Sequence, residues 1–151
     1  VYKRQVEIEQ RRVVAARARR HVLVRHAAVP LAREMGAVIH LGGWDLEGDR
    51  RNAAIAACSG HWILEVDADE HVPRELAGEI RETVTKSTAD WHEIPVDNYI
   101  GGHLVRHGWG ASFGKAAYPG LFKKGFKRWG SQRVHPKLYL KGKKGKVWKF
   151  I

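Results

Sequence analysis

His61-Trp62-Ile63-Leu64-Glu65-Val66-Asp67-Ala68-Asp69-Glu70 is the stretch on which the reading of this chain turns. An apolar run over 62–66 ends in three acids within four residues. The run is short, rich in large and β-branched residues, and preceded by Ser59-Gly60, which predicts a buried strand. Such a strand in an α/β sheet delivers the residues after it to the rim outside the carboxyl ends, where ligands bind. Asp67 and Asp69 are separated by one residue, so in an extended chain they point the same way. Two carboxylates aimed at one point repel unless a cation lies between them. Hard divalent ions such as Mg2+ or Mn2+ take such oxygens and share them with phosphate. The plainer reading of Asp-x-Asp taken alone is a strand that ends in a solvated acidic turn.

The flanks extend the pattern in both directions. Upstream, Gly48-Asp49-Arg50-Arg51-Asn52 leads into the small-residue run Ala53-Ala54-Ile55-Ala56-Ala57-Cys58. Downstream, Pro73-Arg74-Glu75-Leu76 opens an amphipathic segment. An Arg-Asn at the head of a small-residue helix, a Gly turn, a Trp-bearing strand, Asp-Ala-Asp-Glu and a Pro-x-x-Leu helix together resemble the core of the family 2 glycosyltransferases. Within that family the likeness is to the bacterial branch that builds lipopolysaccharide core and similar surface glycans. It spans roughly residues 29–140 and is strongest over 48–80. The resemblance implies an α/β fold: a partial GT-A (Rossmann-like) nucleotide-sugar domain with a mixed sheet flanked by helices.

Charge is distributed unevenly along the 151 residues, a length that suits one domain. The net charge is +11, but residues 27–97 carry fourteen acids against six Lys/Arg, whereas residues 98–151 carry thirteen Lys/Arg and no acid. Such a field suits a polyanionic partner, whether nucleic acid, anionic lipid headgroups or a phosphorylated glycan. The single cysteine, Cys58, excludes a disulfide within the chain and fits a reducing, cytoplasmic setting. No apolar run approaches the roughly 20 residues that span a bilayer. Contact with a membrane is therefore expected to be peripheral, at an anionic inner face.

Residues 1–28 form a basic lead, with a weakly periodic helix over 1–20. The resembled family carries a first strand and an acidic Gly-containing turn there. His21-Val22-Leu23-Val24-Arg25-His26 has neither the acids nor the glycine. This lead is expected to be foreign to the domain, and the chain to be a fragment without its first nucleotide-binding loop or its C-terminal helices. From residue 29 onward, Pro30 predicts a short helix over 31–35 ended by Gly36, and 37–40 a strand. Asp49 is placed to cap a helix over 49–59. Pro73 opens a helix of about fourteen residues whose buried stripe is Leu76, Ile80 and Val84, its acids solvated. Residues 91–96 read as the next strand. Residues 29–97 would form the donor and metal half, residues 98–151 the basic acceptor half.

Site residues follow partly from chemistry and partly from the resemblance. A guanidinium suits bidentate phosphate contact, and a helix N-terminus attracts anions, so Arg51 points to phosphate. The resemblance gives Arg51, Asn52 and Asp67 to the nucleotide-sugar and Asp67 and Asp69 to the metal. His103, His107 and Trp109 with Ser112 and Gly114 read as a Gly-rich acceptor loop rather than a zinc site. Leu121-Phe122-Lys123-Lys124-Gly125 resembles the family's Leu-Phe-Arg-Arg-Gly strand and turn. Arg133-Val134-His135-Pro136 resembles its Val-His-Glu element with proline for glutamate, leaving His135 as a metal or diphosphate contact. Glu70 and Asp97 are the carboxylates available to take a proton. Residues 137–140 and 147–148 are expected to pair as a hairpin with a basic tip at 141–145.

The resemblance implies inverting, metal-dependent transfer of a hexose from a nucleotide-sugar, a UDP-sugar in the first instance, to a hydroxyl of a glycan or lipid-linked acceptor. No nucleic-acid partner is expected. The alternatives are a basic nucleic-acid- or anion-binding module, to which six scattered tryptophans would contribute stacking, and an inactive glycosyltransferase remnant.

Overall fold

A computed structural model describes residues 21–22, 29–40, 43–67, 70–105 and 116–151. In chain order the elements are β1 (His21–Val22), α1 (Val29–Glu34), β2 (Val38–Ile39), α2 (Glu47–Ala57), β3 (Trp62–Leu64) and α3 (Arg74–Lys86). They continue with β4 (Trp91–Pro95), β5 (Tyr99–Ile100), β6 (His103–Leu104), β7 (Ala117–Lys123), β8 (Lys127–Trp129), β9 (Leu138–Leu140) and β10 (Lys144–Lys146). The architecture is mixed α/β, built on a mixed four-stranded sheet in the order β10-β4-β7-β3.

Strands β3 and β4 both run antiparallel to β7, so they are parallel to each other. Helix α3 connects them, which makes a βαβ unit with β7 inserted between its two strands. The carboxyl ends of β3 and β4 therefore open on the same rim. Strand β10 joins the far edge parallel to β4. In the first part of the chain β1 pairs in parallel with β2 across α1. Helix α1 ends as its sequence demands: Gly36 takes φ 73°, its N–H donates to Arg33 O and the Ala37 N–H to Ala32 O. Those two bonds close the helix through a left-handed glycine.

Cross-strand register sorts the side chains onto two faces. Leu64 and His92 oppose Leu121, and Ile94 opposes Tyr118, on the face toward α3. There Leu76, Ile94, Leu121, Val147 and Ile151 form the core, with Trp62, Leu64, Ile80 and Val84 packed against it. Of the stripe expected on α3, Leu76 is buried and Ile80 and Val84 are partly buried against the core. Trp91 and Ile63 oppose Phe122 on the other face, which α2 and the β8–β9 pair cover.

Four local expectations are corrected. Helix α2 begins at Glu47, so Asp49 lies inside its first turn; Leu46 is the N-cap, with no side-chain cap. The early start rests on Gly48, where a Cβ would lie 1.9 Å from Gly130 O, so only glycine lets the helix approach that loop. Strand β3 is the edge of the four-stranded sheet, and of its residues only Ile63 is buried. The hairpin at the end of the chain does not form. Strand β9 pairs with β8, and β10 with β4, because the unpaired edge of β4 offers a full ladder. Asp90 fastens that edge by accepting the Lys143 N–H at 2.9 Å. Glu79 is not solvated surface: its carboxylate accepts the backbone N–H groups of Trp148 and Lys149 at 2.7 and 2.8 Å. Two successive backbone donors offer a carboxylate more than dispersed water does.

Candidate functional site

Beyond Leu64 the chain stays extended, with the Glu65 N–H donating to Gly120 O at 2.8 Å. Period-two alternation then sends Ile63, Glu65 and Asp67 to the α2 face. Arg51, one turn into α2, reaches that same line of residues. Its Nε donates to Glu47 Oε1 at 2.8 Å, its Nη1 grips Glu65 Oε1, and its Nη2 lies 3.4 Å from Asp67 Oδ1. Its plane stacks over Trp129, 4.8 Å from the ring centroid. Burial alone would lower the pKa of this guanidinium. The carboxylates of Glu47, Glu65 and Asp67 outweigh it, and the value is raised.

Beneath Arg51 sits Lys127, whose side chain is 1% exposed. Its ammonium lies 2.8 Å from Glu65 Oε2 and donates to Pro119 O at 2.8 Å. The Lys127–Glu65 contact is a short-range ion pair. The ammonium also lies over the rings of Phe122 and Trp129, at 4.8 and 5.2 Å. Desolvation pushes the Lys127 pKa down and Glu65 pulls it part of the way back. Buried charge of this kind persists only when paired. Arg51, Lys127, Glu65, Glu47 and Asp67 form one continuous charged cluster that begins under the sheet and surfaces at Asp67.

The loop after β3 is tied from both ends. The Asp67 N–H donates to Glu70 Oε2 at 2.8 Å, and the Glu70 N–H to Asp67 O at 3.1 Å. The Tyr118 hydroxyl lies 2.9 Å from both Glu70 Oε2 and Glu65 O, and its single proton is shared between these two acceptors. Burial, then the Glu70 hydrogen bond, raises the pKa of Tyr118 far beyond that of an ordinary tyrosine. Tyr118 therefore acts here as a neutral donor.

Of the residues expected at the site, Arg51 and Asp67 are brought together. Arg51 is not at the helix N-terminus, however, and the first turn of α2 is occupied by Glu47 and Asp49. Asn52 sits beside Arg51, but its amide spans the Trp129 backbone, accepting the N–H at 2.9 Å and donating to the carbonyl at 2.8 Å. Glu70 holds the loop. Asp97 follows β4 on the same rim as Asp67, and its N–H donates to Ile151 O. His135 is exposed in the loop between β8 and β9, with φ 51°. Asp69, His107, Trp109, Ser112 and Gly114 lie outside the described residues. Among the described residues no three His, Cys, Asp or Glu gather as metal ligands.

Glu65, Lys127 and Trp129 were not singled out from the sequence. For Glu65 the signal was present, an acid within an apolar run at period two from Asp67. For Lys127, one of thirteen Lys/Arg in an acid-free third of the chain, there was none. Comparison with protein-family models, curated proteins and solved structures found no match. No helix among the described residues is long and apolar enough to cross a membrane.

Proposed function

We propose that this chain is a glycosyltransferase of the family 2, GT-A type. It would move a hexose from a nucleotide-sugar to a hydroxyl of a glycan or lipid-linked acceptor, with inversion, in the synthesis of cell-envelope polysaccharide. The observation that carries the reading is the meeting of Arg51 and Asp67 at the carboxyl end of β3, Nη2 to Oδ1 at 3.4 Å. A charged guanidinium beside a carboxylate at the rim of a βαβ unit is the chemistry a diphosphate with its cation requires. The ordered string from Arg51 through Asp67 to Leu76 supports it.

Asp67, with Asp69, would hold Mg2+ or Mn2+. Hard carboxylate oxygens, completed by substrate phosphate and water, are the usual donors for these ions. The ion supplies electrostatic stabilisation of the leaving diphosphate. Arg51 is presented toward Asp67 by Glu47 and Glu65 and stays charged, so it adds a fixed positive group at that point. Tyr118 and Glu70 hold the loop that carries Asp67. Because Glu70 is committed to that loop, Asp97 on the same rim is the carboxylate assigned to take the acceptor's proton.

Thermal unfolding with and without UDP and Mn2+ tests the reading. A ligand at a hundred times its Kd stabilises the folded chain by about 2.7 kcal/mol. A metal-dependent rise in Tm is expected, and its loss in the Asp67→Asn, Asp69→Asn double variant. A folded chain that shows no rise lacks a working nucleotide site, which would favour the inactive-remnant reading.

A further inference from the structure

The face of the sheet that α2 covers near β3 stays open at the β4–β10 edge. The alternation along the last strand shows which residues are displayed there. A Cβ on Gly145 would meet His92 at 2.4 Å, and Val147 is fully buried, so these two point inward. Lys144, Lys146 and Trp148, at period two, point outward. Trp148 is 70% exposed and Phe150 beside it 42%. Over residues 141–149 there are five lysines and no acid.

This display is held in place rather than frayed. Glu79 grips the Trp148 and Lys149 N–H groups, Val147 N–H donates to Glu93 O, and Ile151 exchanges backbone bonds with Pro95 and Asp97. Of the acids nearby, Glu93 is engaged with Lys144 at 2.7 Å, Asp90 with Lys123 at 2.9 Å and Glu79 with the backbone, and Asp97 lies beyond them beside Ile151. The positive charge of Lys141, Lys146 and Lys149 is therefore in excess at this edge. Ammonium groups cover the rings around it: Lys146 over Trp148 at 4.7 Å, Lys144 over Trp91 at 5.6 Å and Lys141 over Phe126 at 5.7 Å.

We propose that the β10 edge docks on an anionic bilayer surface, with outward-facing Lys146 and the exposed Lys141 and Lys149 that flank its row among the lipid phosphates and Trp148 at headgroup depth. A row of lysines beside an exposed tryptophan is the composition such an interface selects. Nucleic acid is the less suitable polyanion. Binding of single strands relies on bases stacking on aromatic faces, and here an ammonium already lies over the rings of Trp148, Trp91 and Phe126. The proposal does not depend on the transferase reading, since neither Asp67 nor a donor takes part.

Co-sedimentation with vesicles tests it. The chain should partition onto phosphatidylcholine vesicles containing phosphatidylglycerol, not onto phosphatidylcholine alone, and should be released by high salt. The Lys146→Gln, Lys149→Gln double variant should partition roughly thirtyfold more weakly, at about 1 kcal/mol for each lysine near the surface. Lys86→Glu, on the outer side of α3, should partition like the parent; its side chain is 75% exposed. Chain-brominated lipid should quench the parent's fluorescence, and Trp148→Phe should lose that component. Equal binding to neutral vesicles, parental partition of the double variant, or absence of quenching overturns the proposal. Tighter binding of single-stranded DNA through the same lysines also overturns it and assigns the edge to nucleic acid.

Discussion

Under α3 the sheet is closed by Leu76, Ile94, Leu121 and Val147, each no more than 1% exposed. Under α2 the same sheet meets Phe122 and Ile63, and then a layer of charge: Lys127, Glu65 and Arg51 beneath Trp129. The two faces are held by different physics, the first dry and the second only partly buried, with Arg51 20% and Glu65 18% exposed. Hydrocarbon packing is tolerant, because any apolar neighbour of suitable volume restores most of the energy. A buried ion cluster is intolerant, because removing one member leaves another desolvated and unpaired. The intolerant face is the one that surfaces at Asp67, where the candidate site lies.

The largest expected effect breaks the charged face. Glu65→Met leaves the Lys127 ammonium, 1% exposed, without its carboxylate and should cost about 3–5 kcal/mol in chemical denaturation. Adding Lys127→Met should recover much of that loss, since a buried pair replaced by apolar groups is often neutral. A double variant as unstable as the single would show that Glu65 stabilises chiefly through Arg51. On the α3 face, Leu76→Ala should cost about 2–5 kcal/mol through lost burial and the cavity left behind. No second substitution of a single polar partner should rescue it.

The smallest effect concerns His92, the polar residue within the α3 face. It is 3% exposed, with Nε2 at 2.8 Å from Ser87 Oγ, and burial, followed by the nearby charge of Lys123, depresses its pKa. The unfolded chain therefore takes up this proton first. Stability is expected to fall as pH drops below the ordinary histidine value of about 6.5, by at most about 1.4 kcal/mol per pH unit, and to level off below the folded pKa. The difference in stability between the parent and His92→Gln, followed from pH 8 to 5, should carry this slope. A pH-independent difference would show that the ring accepts its proton without cost.

Much of the α3 face was legible in the sequence. Leu76, Ile80 and Val84 at helical spacing mark a buried stripe, and Leu121-Phe122 before Gly125 resembles a strand and turn; that the strand is central came from the sheet order. The turn holds because Gly125 takes φ 90°. Arg51 and Asp67 were legible as residue types at a plausible spacing. Their partners were not. Glu65 and Lys127 are sixty-two residues apart in sequence, and only the β3–β7 pairing followed by the turn into β8 brings them within 2.8 Å. Asn52 is given to the nucleotide-sugar by the resemblance of its Arg-Asn pair. What no local pattern showed is that its amide also completes the hydrogen bonds of the β8 backbone at Trp129.

By itself the sequence determined the local patterns: a period of 3.6 along α3, short strand-forming runs at β3 and β4, and the breaks at Gly36, Gly60 and Pro73. These follow from steric and solvation preferences that act over a few residues. Tertiary structure decided what those patterns face. It sent β10 to the open edge of β4 rather than into a hairpin with β9. It started α2 at Glu47 because Gly48 can lie against Gly130. It buried one lysine out of many because a single carboxylate waited beneath α2. Each choice depends on a backbone donor, a close approach or a countercharge supplied from elsewhere in the chain, and no local pattern encodes where that partner will be.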